Sequence, residues 1–190
     1  GVNVLIAPPL PGEGDGSAVR VAVAALAPEC AGGAGSPPGT PAELVEAAIG
    51  AGATAISVGL GDPAPVASMA KEAGLPLIAM AACVADAERA VASGADVIVA
   101  QGGEAGGHRS NFEVEADGSV PLVGTLALVP QIVDAVGVPV VAAGGIMDGR
   151  GLVAALALGA QGVQMGTAFL VAQEATVASS YKRRVARSRD

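Results

Sequence analysis

The stretch from Gly137 to Thr167, GVPVVAAGGIMDGRGLVAALALGAQGVQMGT, decides the fold. Val140 to Ala143 is a short apolar strand that runs into Gly144-Gly145. Asp148-Gly149-Arg150-Gly151 then opens a helix over Leu152 to Leu158. Gly159-Ala160 ends that helix, and Val163-Gln164-Met165 is the next strand, finishing on Gly166-Thr167. The same order recurs upstream. Gly52-Ala53 leads into Ala55 to Val58, and Gly94-Ala95 leads into Val97 to Ala100. Two variants carry Pro at the strand start: Gly74-Leu75-Pro76 before Leu77 to Met80, and Gly137-Val138-Pro139 before Val140. Each glycine is expected to end a helix in the left-handed conformation. A proline at a strand's first residue loses no important ladder donor.

These strands are continuous apolar runs rather than alternating ones, the mark of parallel strands covered on both faces. The intervening segments read as helices. Thr40 with Glu43 three residues on is a capping signal before Pro41 to Ile49, and Val84 to Ser93 is a second helix. Strand alternating with helix gives an α/β fold. Six strands are expected: Val2 to Ala7, Ala55 to Val58, Leu77 to Met80, Val97 to Ala100, Val140 to Ala143 and Val163 to Met165. A strand–helix barrel has eight in roughly 250 residues, so one reading is a (β/α)8 barrel with about six of its eight units, its strands following chain order. The other is an open doubly wound sheet. Length and periodicity do not separate them. The two Gly-rich ends on the last two strands favour the barrel, because its last two loops often share a phosphate site. Gly12 to Ser17 and Gly32 to Gly39 read as loops.

The 190 residues are 52% hydrophobic and 15% charged, enough for one sizeable core and unlike a disordered chain. Aromatics are limited to Phe112, Phe169 and Tyr181, which leaves no base-stacking platform. Five of the ten basic residues are Lys182, Arg183, Arg184, Arg187 and Arg189, so residues 1–181 carry 17 acids against five bases, a net charge of −12. Such a body repels phosphate backbones, and no nucleic-acid partner is expected. Cys30 and Cys83 make no disulfide framework and fit a reducing cytoplasm. One histidine and two distant cysteines offer no metal-ligand spacing. The longest uncharged run, Gly151 to Gln173, holds four glycines and three glutamines, so no membrane span is expected. Residues 1–12 lack a basic start and contain three prolines, so no leader is expected there. The chain opens on Gly1 and enters an apolar strand at once, which reads as a missing beginning.

Chemistry is expected at the C-terminal strand ends. The first unusual end is Gln101-Gly102-Gly103-Glu104-Ala105-Gly106-Gly107-His108-Arg109, which holds the only histidine of the chain. Its glycines let the backbone approach a flat ligand. Glu104 is read either as orienting His108 or as simply solvated. The second end is Ala143-Gly144-Gly145-Ile146 before a helix start, where backbone N–H groups suit a phosphate. The third is Gln164-Met165-Gly166-Thr167. There is no P-loop lysine and no G-x-S-x-G, which argues against nucleotide hydrolysis and serine-hydrolase chemistry.

Taken in order, Gln101 to Arg109, Pro139 to Ile146, Asp148 to Gly151, and Gln164 to Thr167 with Phe169 strongly resemble the nitronate monooxygenases, formerly 2-nitropropane dioxygenases. The resemblance runs from Gly1 to about Lys182. It implies a single FMN-binding (β/α)8 barrel domain over residues 1–190, incomplete at its N-terminus and at its C-terminus. It also implies the roles of residues. Asn3 and Gln101 would contact the flavin ring, and Gly106 would let the ring lie on the loop. Gly144, Gly145, Gln164, Met165, Gly166 and Thr167 would hold the phosphate region, with His108 as the active-site histidine. The reaction implied is flavin-dependent oxidation of an alkyl nitronate by O2 to a carbonyl compound and nitrite, with a homo-oligomer left open. A nitronate is already an anion, so an imidazole could hold its charge, or act as base if a nitroalkane were the substrate. FMN-dependent enoyl-acyl-carrier-protein reductases share Glu-Ala-Gly-Gly-His and Leu128-Val-Pro-Gln131. They, an NAD(P)H:quinone reductase and a non-catalytic flavin-binding fragment are the alternatives.

Overall fold

A computed structural model describes residues 40–114 and 118–188 in full, together with the backbone of residues 4–6 and 21–25. The order is β1 (Val4–Ile6), β2 (Val21–Ala25), α1 (Pro41–Gly50), β3 (Ala55–Leu60), α2 (Ala64–Glu72), β4 (Leu77–Ala81), α3 (Val84–Ala92), β5 (Val97–Gln101), α4 (Thr125–Ala135), β6 (Val140–Ala143), α5 (Gly149–Ala157), β7 (Gly162–Met165), α6 (Thr167–Leu170) and α7 (Ser179–Arg187).

Local chemistry sets the helix ends. Thr40 and Glu43 form the expected capping box on α1: Glu43 N–H donates to the Thr40 hydroxyl, and Thr40 N–H donates to the Glu43 carboxylate. At the other end of α5, Gly159 sits at φ +93°. Its N–H donates to the Leu156 carbonyl and Ala160 N–H to that of Ala155, both over 3.0 Å. This pair of bonds satisfies the last carbonyls of the helix and turns the chain into the next strand. α1, α2 and α3 end in the same way at Gly52, Gly74 and Gly94. The expectation fails at Gly137, which has no positive φ. There the cap residue Val136 is extended, at φ −117° and ψ 147°, so no left-handed residue is needed to leave the helix.

The sheet order is β1-β7-β6-β5-β4-β3-β2. Strands β2 to β7 are all parallel and follow chain order without reversal. This is the wall of a strand–helix barrel, and it excludes the doubly wound alternative, whose order reverses midway. The structure corrects the first strand. Val2 to Ala7 was expected as the first of the parallel set, yet β1 pairs antiparallel with β7. The place beside β3 belongs to β2, and β1 covers the edge of β7 that the parallel set leaves open. The two expected glycine-rich loops at 12–17 and 32–39 lie outside the described residues.

Side chains alternate across the strands and both faces are apolar. Ala79, Ala81, Ile98, Ala100, Val140, Ala142 and Val163 pack outward against α3, α4 and α5, through Ala87, Ala90, Leu128, Val129, Ile132 and Ala155. Nearer β3, Ile56, Val58 and Leu77 pack against Val45 of α1 and Val66 and Ala70 of α2. On the opposite face Ala55, Ile78, Val99, Val141 and Ala143 form a second cluster with Met80 and Val97. That face is the barrel interior. Its uppermost row is fixed by register: Gln101 pairs with Ala143, and Ala143 with Gln164. The C-terminal ends of β5, β6 and β7 therefore finish at one height. Among the described residues, no helix is long and apolar enough to cross a membrane.

Candidate functional site

β5 ends in Gln101, whose side chain continues the inner face above Val99 and is buried. Both polar atoms of its amide are engaged. Nε2 donates to the His108 carbonyl and Oε1 accepts from Ser110 N–H, both over 2.9 Å. The backbone on either side of Arg109 is thus folded back onto the strand end. Arg109 adds to the clamp, donating to the carbonyls of Gly102 and Gln101 over 2.8 and 3.1 Å. Ser110, wholly buried, donates from its hydroxyl to the Gly59 carbonyl of β3. Buried Asp86 on α3 accepts from Phe112 N–H, and Arg89 pairs with Asp62 and Glu113, both at 2.9 Å, beneath the Phe112 ring. The long excursion from β5 to α4 is consequently tied to two strands and a helix.

His108 sits in this excursion, exposed, beside Gly106 and Gly107. A Cβ at either glycine would meet nothing within 4 Å, and Gly107 turns the chain at φ +85°. The imidazole makes no hydrogen bond or ion pair with the described residues. Glu104 does not orient it, nor is it merely solvated. The Glu104 carboxylate accepts from Thr125 N–H over 2.8 Å and from the Thr125 hydroxyl over 2.7 Å, capping α4 from a distant loop. Partial burial pushes this carboxyl up. The Thr125 hydrogen bonds and the Arg109 charge outweigh that and hold it below the ordinary glutamate range.

The Thr125 hydroxyl also lies 3.1 Å from the Gly144 carbonyl, at the end of β6. Thr125 fits there because its neighbours are glycines. A Cβ on Gly102 would overlap it, and one on Gly144 would come within 2.6 Å of its hydroxyl oxygen. Gly144 and Gly145 both have positive φ, +123° and +67°. The N–H groups of Gly144, Gly145, Gly166 and Thr167 find no acceptor among the described residues. These donors crown two neighbouring strands, β6 and β7, as an anion site requires. The start of α5 contributes less than the sequence suggested. Its N-cap Asp148 takes Arg150 N–H over 2.9 Å and pairs with the Arg150 guanidinium, so a carboxylate already occupies that helix end.

Of the expected residues, Gln101, His108, Gly106, Gly144, Gly145, Gln164, Gly166 and Thr167 all lie at the ends of three adjacent strands or in the loops leaving them. Met165 packs toward the helical layer, and its backbone pairs with Val4 of β1. Asn3 lies outside the described residues. Thr125 was not anticipated; the only hint was a threonine directly after Gly124 at a helix start. Among the described residues, no cluster of His, Cys, Asp and Glu suits a metal.

Comparison with known proteins gives the family. The family model described as nitronate monooxygenase matches residues 4–189. A probable nitronate monooxygenase of Staphylococcus saprophyticus is 46% identical over 149 residues, 78% of this chain and 42% of that protein. One from Staphylococcus aureus strain JH9 is 51% identical over 120 residues, 63% of this chain and 34% of that protein. FabK from Thermotoga maritima superposes with a TM-score of 0.74 at 33% identity, covering 88% of this chain and 47% of that one. Nitroalkane oxidase from Streptomyces ansochromogenes gives 0.69 at 35% identity, with 74% and 41% covered. The chain spans less than half the length of each of these proteins.

Proposed function

Because the chain belongs to the nitronate monooxygenase family, we propose that it forms the FMN- and substrate-facing part of an enzyme that oxidises alkyl nitronates with O2, giving carbonyl compounds and nitrite. The observation that carries this reading is the set of N–H donors on Gly144, Gly145, Gly166 and Thr167, which no described residue accepts, one and two strands from an exposed His108 with no partner among the described residues. The residues fit FMN. Four backbone donors suit a phosphate dianion, and the open surface over Gly106 and Gly107 suits a flat ring. FMN, when bound, supplies the electron-accepting chemistry.

The remaining work falls to the chain. Gly106 and Gly107 keep the loop low enough for close approach. His108 faces a substrate that arrives as an anion, and its imidazole is placed to hold that charge. Gln101 contributes from below: its amide is spent on the His108 carbonyl and the Ser110 N–H, so it holds the histidine's backbone in position. The apolar inner layer of Ile78, Val99 and Val141 closes the floor beneath the site to water.

The test is nitronate-dependent O2 uptake measured beside flavin content. FMN-loaded protein that consumes O2 with an alkyl nitronate, and whose flavin is not reduced by NADH under anaerobic conditions, supports the reading. Rapid anaerobic reduction by NADH with no nitronate turnover would point instead to the reductase reading.

A further inference from the structure

We propose that Thr125 is a positioning residue for the phosphate end of the flavin site, acting through the Gly144–Gly145 peptide. The inference rests on the reading that the FMN phosphate lies at the ends of β6 and β7.

The argument starts from one peptide unit. The Gly144 carbonyl and the Gly145 N–H belong to the same planar group, and the described chain has no cis bonds. In a trans peptide the C=O and N–H bonds point to opposite sides of the chain. The Gly144 oxygen faces the Thr125 hydroxyl at 3.1 Å, toward α4. The Gly145 N–H must therefore point away from α4, where no described residue accepts it. Turning this peptide over would aim the carbonyl oxygen at an incoming phosphate and replace attraction with repulsion. Without side chains of their own, Gly144 and Gly145 are free to make that turn.

Thr125 restrains the peptide by being restrained itself. Its N–H and hydroxyl both meet the Glu104 carboxylate, and it occupies a slot between Gly102 and Gly144 that admits no extra carbon. Only 9% of the residue is exposed. The single hydroxyl proton is shared between two acceptors, with the shorter arm to Glu104. Glu104 thus fixes the hydroxyl group, and the shared hydroxyl proton holds the Gly144 carbonyl. A residue that touches no ligand in this scheme sets the direction of a donor that does.

The experiment titrates the full chain with FMN and with riboflavin, which differ only in the phosphate. Wild type should bind FMN more tightly. Thr125→Val keeps the shape and removes the hydroxyl, and Thr125→Ala removes both. Each should lose about tenfold or more in FMN affinity, on the scale of one hydrogen bond, while riboflavin affinity stays near the wild-type value. Thr125→Ser retains the hydroxyl and should restore the preference. If the valine and alanine variants keep the wild-type FMN-to-riboflavin ratio, the inference is overturned. Equal weakening of both flavins, including through loss of folding, makes Thr125 merely structural and overturns it as well. If wild type itself shows no preference for FMN, the phosphate site is wrong, and the fault lies with the underlying reading.

Discussion

The Gln101 side-chain nitrogen donates to the His108 carbonyl oxygen over 2.9 Å, so the last residue of a buried strand holds the backbone of the one histidine in the chain. The other end of the same amide takes Ser110 N–H, and the group is 2% exposed. Gln101→Ala leaves a buried carbonyl and a buried N–H without their partner. We expect a loss of about 1–3 kcal/mol in stability, read by denaturant unfolding. Gln101→Glu keeps the acceptor for Ser110 and sets a carboxylate oxygen against the His108 carbonyl. It should lose His108-dependent turnover more than FMN binding, and equal losses of the two would count against the clamp.

For His108 itself, His108→Ala should reduce nitronate turnover on the order of 10²-fold or more, the usual scale for a positioned charge-stabilising group. The flavin should remain bound, because the donors proposed for its phosphate are on other strands. Steady-state O2 uptake and the visible spectrum, measured on one preparation, decide this. Near-normal turnover removes the histidine from the mechanism.

Gly166→Val tests the other half of the proposed phosphate site. Gly166 precedes α6 and lies beyond Gln164, which pairs with Ala143. A branched side chain there should obstruct the anion and leave the protein without flavin after purification. A yellow, stoichiometrically loaded variant would place the phosphate elsewhere.

Glu104 predicts a pH dependence. Its folded-state carboxyl is lowered, since the Thr125 bonds and the Arg109 charge overcome the upward push of partial burial. A lowered carboxyl contributes stability that is complete above the unfolded value, about 4.3, and is lost as the pH falls through the lower folded value. Thermal unfolding from pH 7 downward should show wild type ahead of Glu104→Gln at neutral pH, with the two curves converging in acid. A constant gap at every pH would mean that the charge contributes nothing.

Gly159→Ala serves as a stability-only variant. It forces alanine to φ +93° and brings a Cβ within 2.8 Å of Val133 Cγ1. The expected cost is about 1–3 kcal/mol, with flavin content per folded molecule unchanged. Flavin loss without loss of stability would contradict the separation between this turn and the site.

What could be read from the sequence follows what is local. The apolar runs of β3 to β7, the Thr40–Glu43 box and the glycine ends at 52, 74, 94 and 159 depend on neighbours within a few residues, and each was visible. Gly137 looked the same in sequence, but Val136 leaves α4 in an extended conformation that any residue adopts. β2 escaped because Val21 to Ala25 alternates valine with alanine and carries little hydrophobic bulk. The pairing of β1 with β7 joins opposite ends of the chain and left no trace in local pattern. The strand-end motifs were legible for the same reason the strands were. The partners of their side chains were not: Glu104 meets Thr125 across 21 positions, and Ser110 reaches Gly59 across 51.

The four glycine turns at 52, 74, 94 and 159 close mostly on their own helices, each by the same two hydrogen bonds. Injuries to them should therefore accumulate by simple addition, as independent sites do. At the opposite end of the strands, Gly102, Glu104, Thr125 and Gly144 meet around one hydroxyl group. A second substitution there acts on a hub already disturbed by the first, so its effect depends on which came before. One end of this barrel can change a residue at a time. The other changes as a set, and any lineage that alters that end must find its substitutions in a workable order.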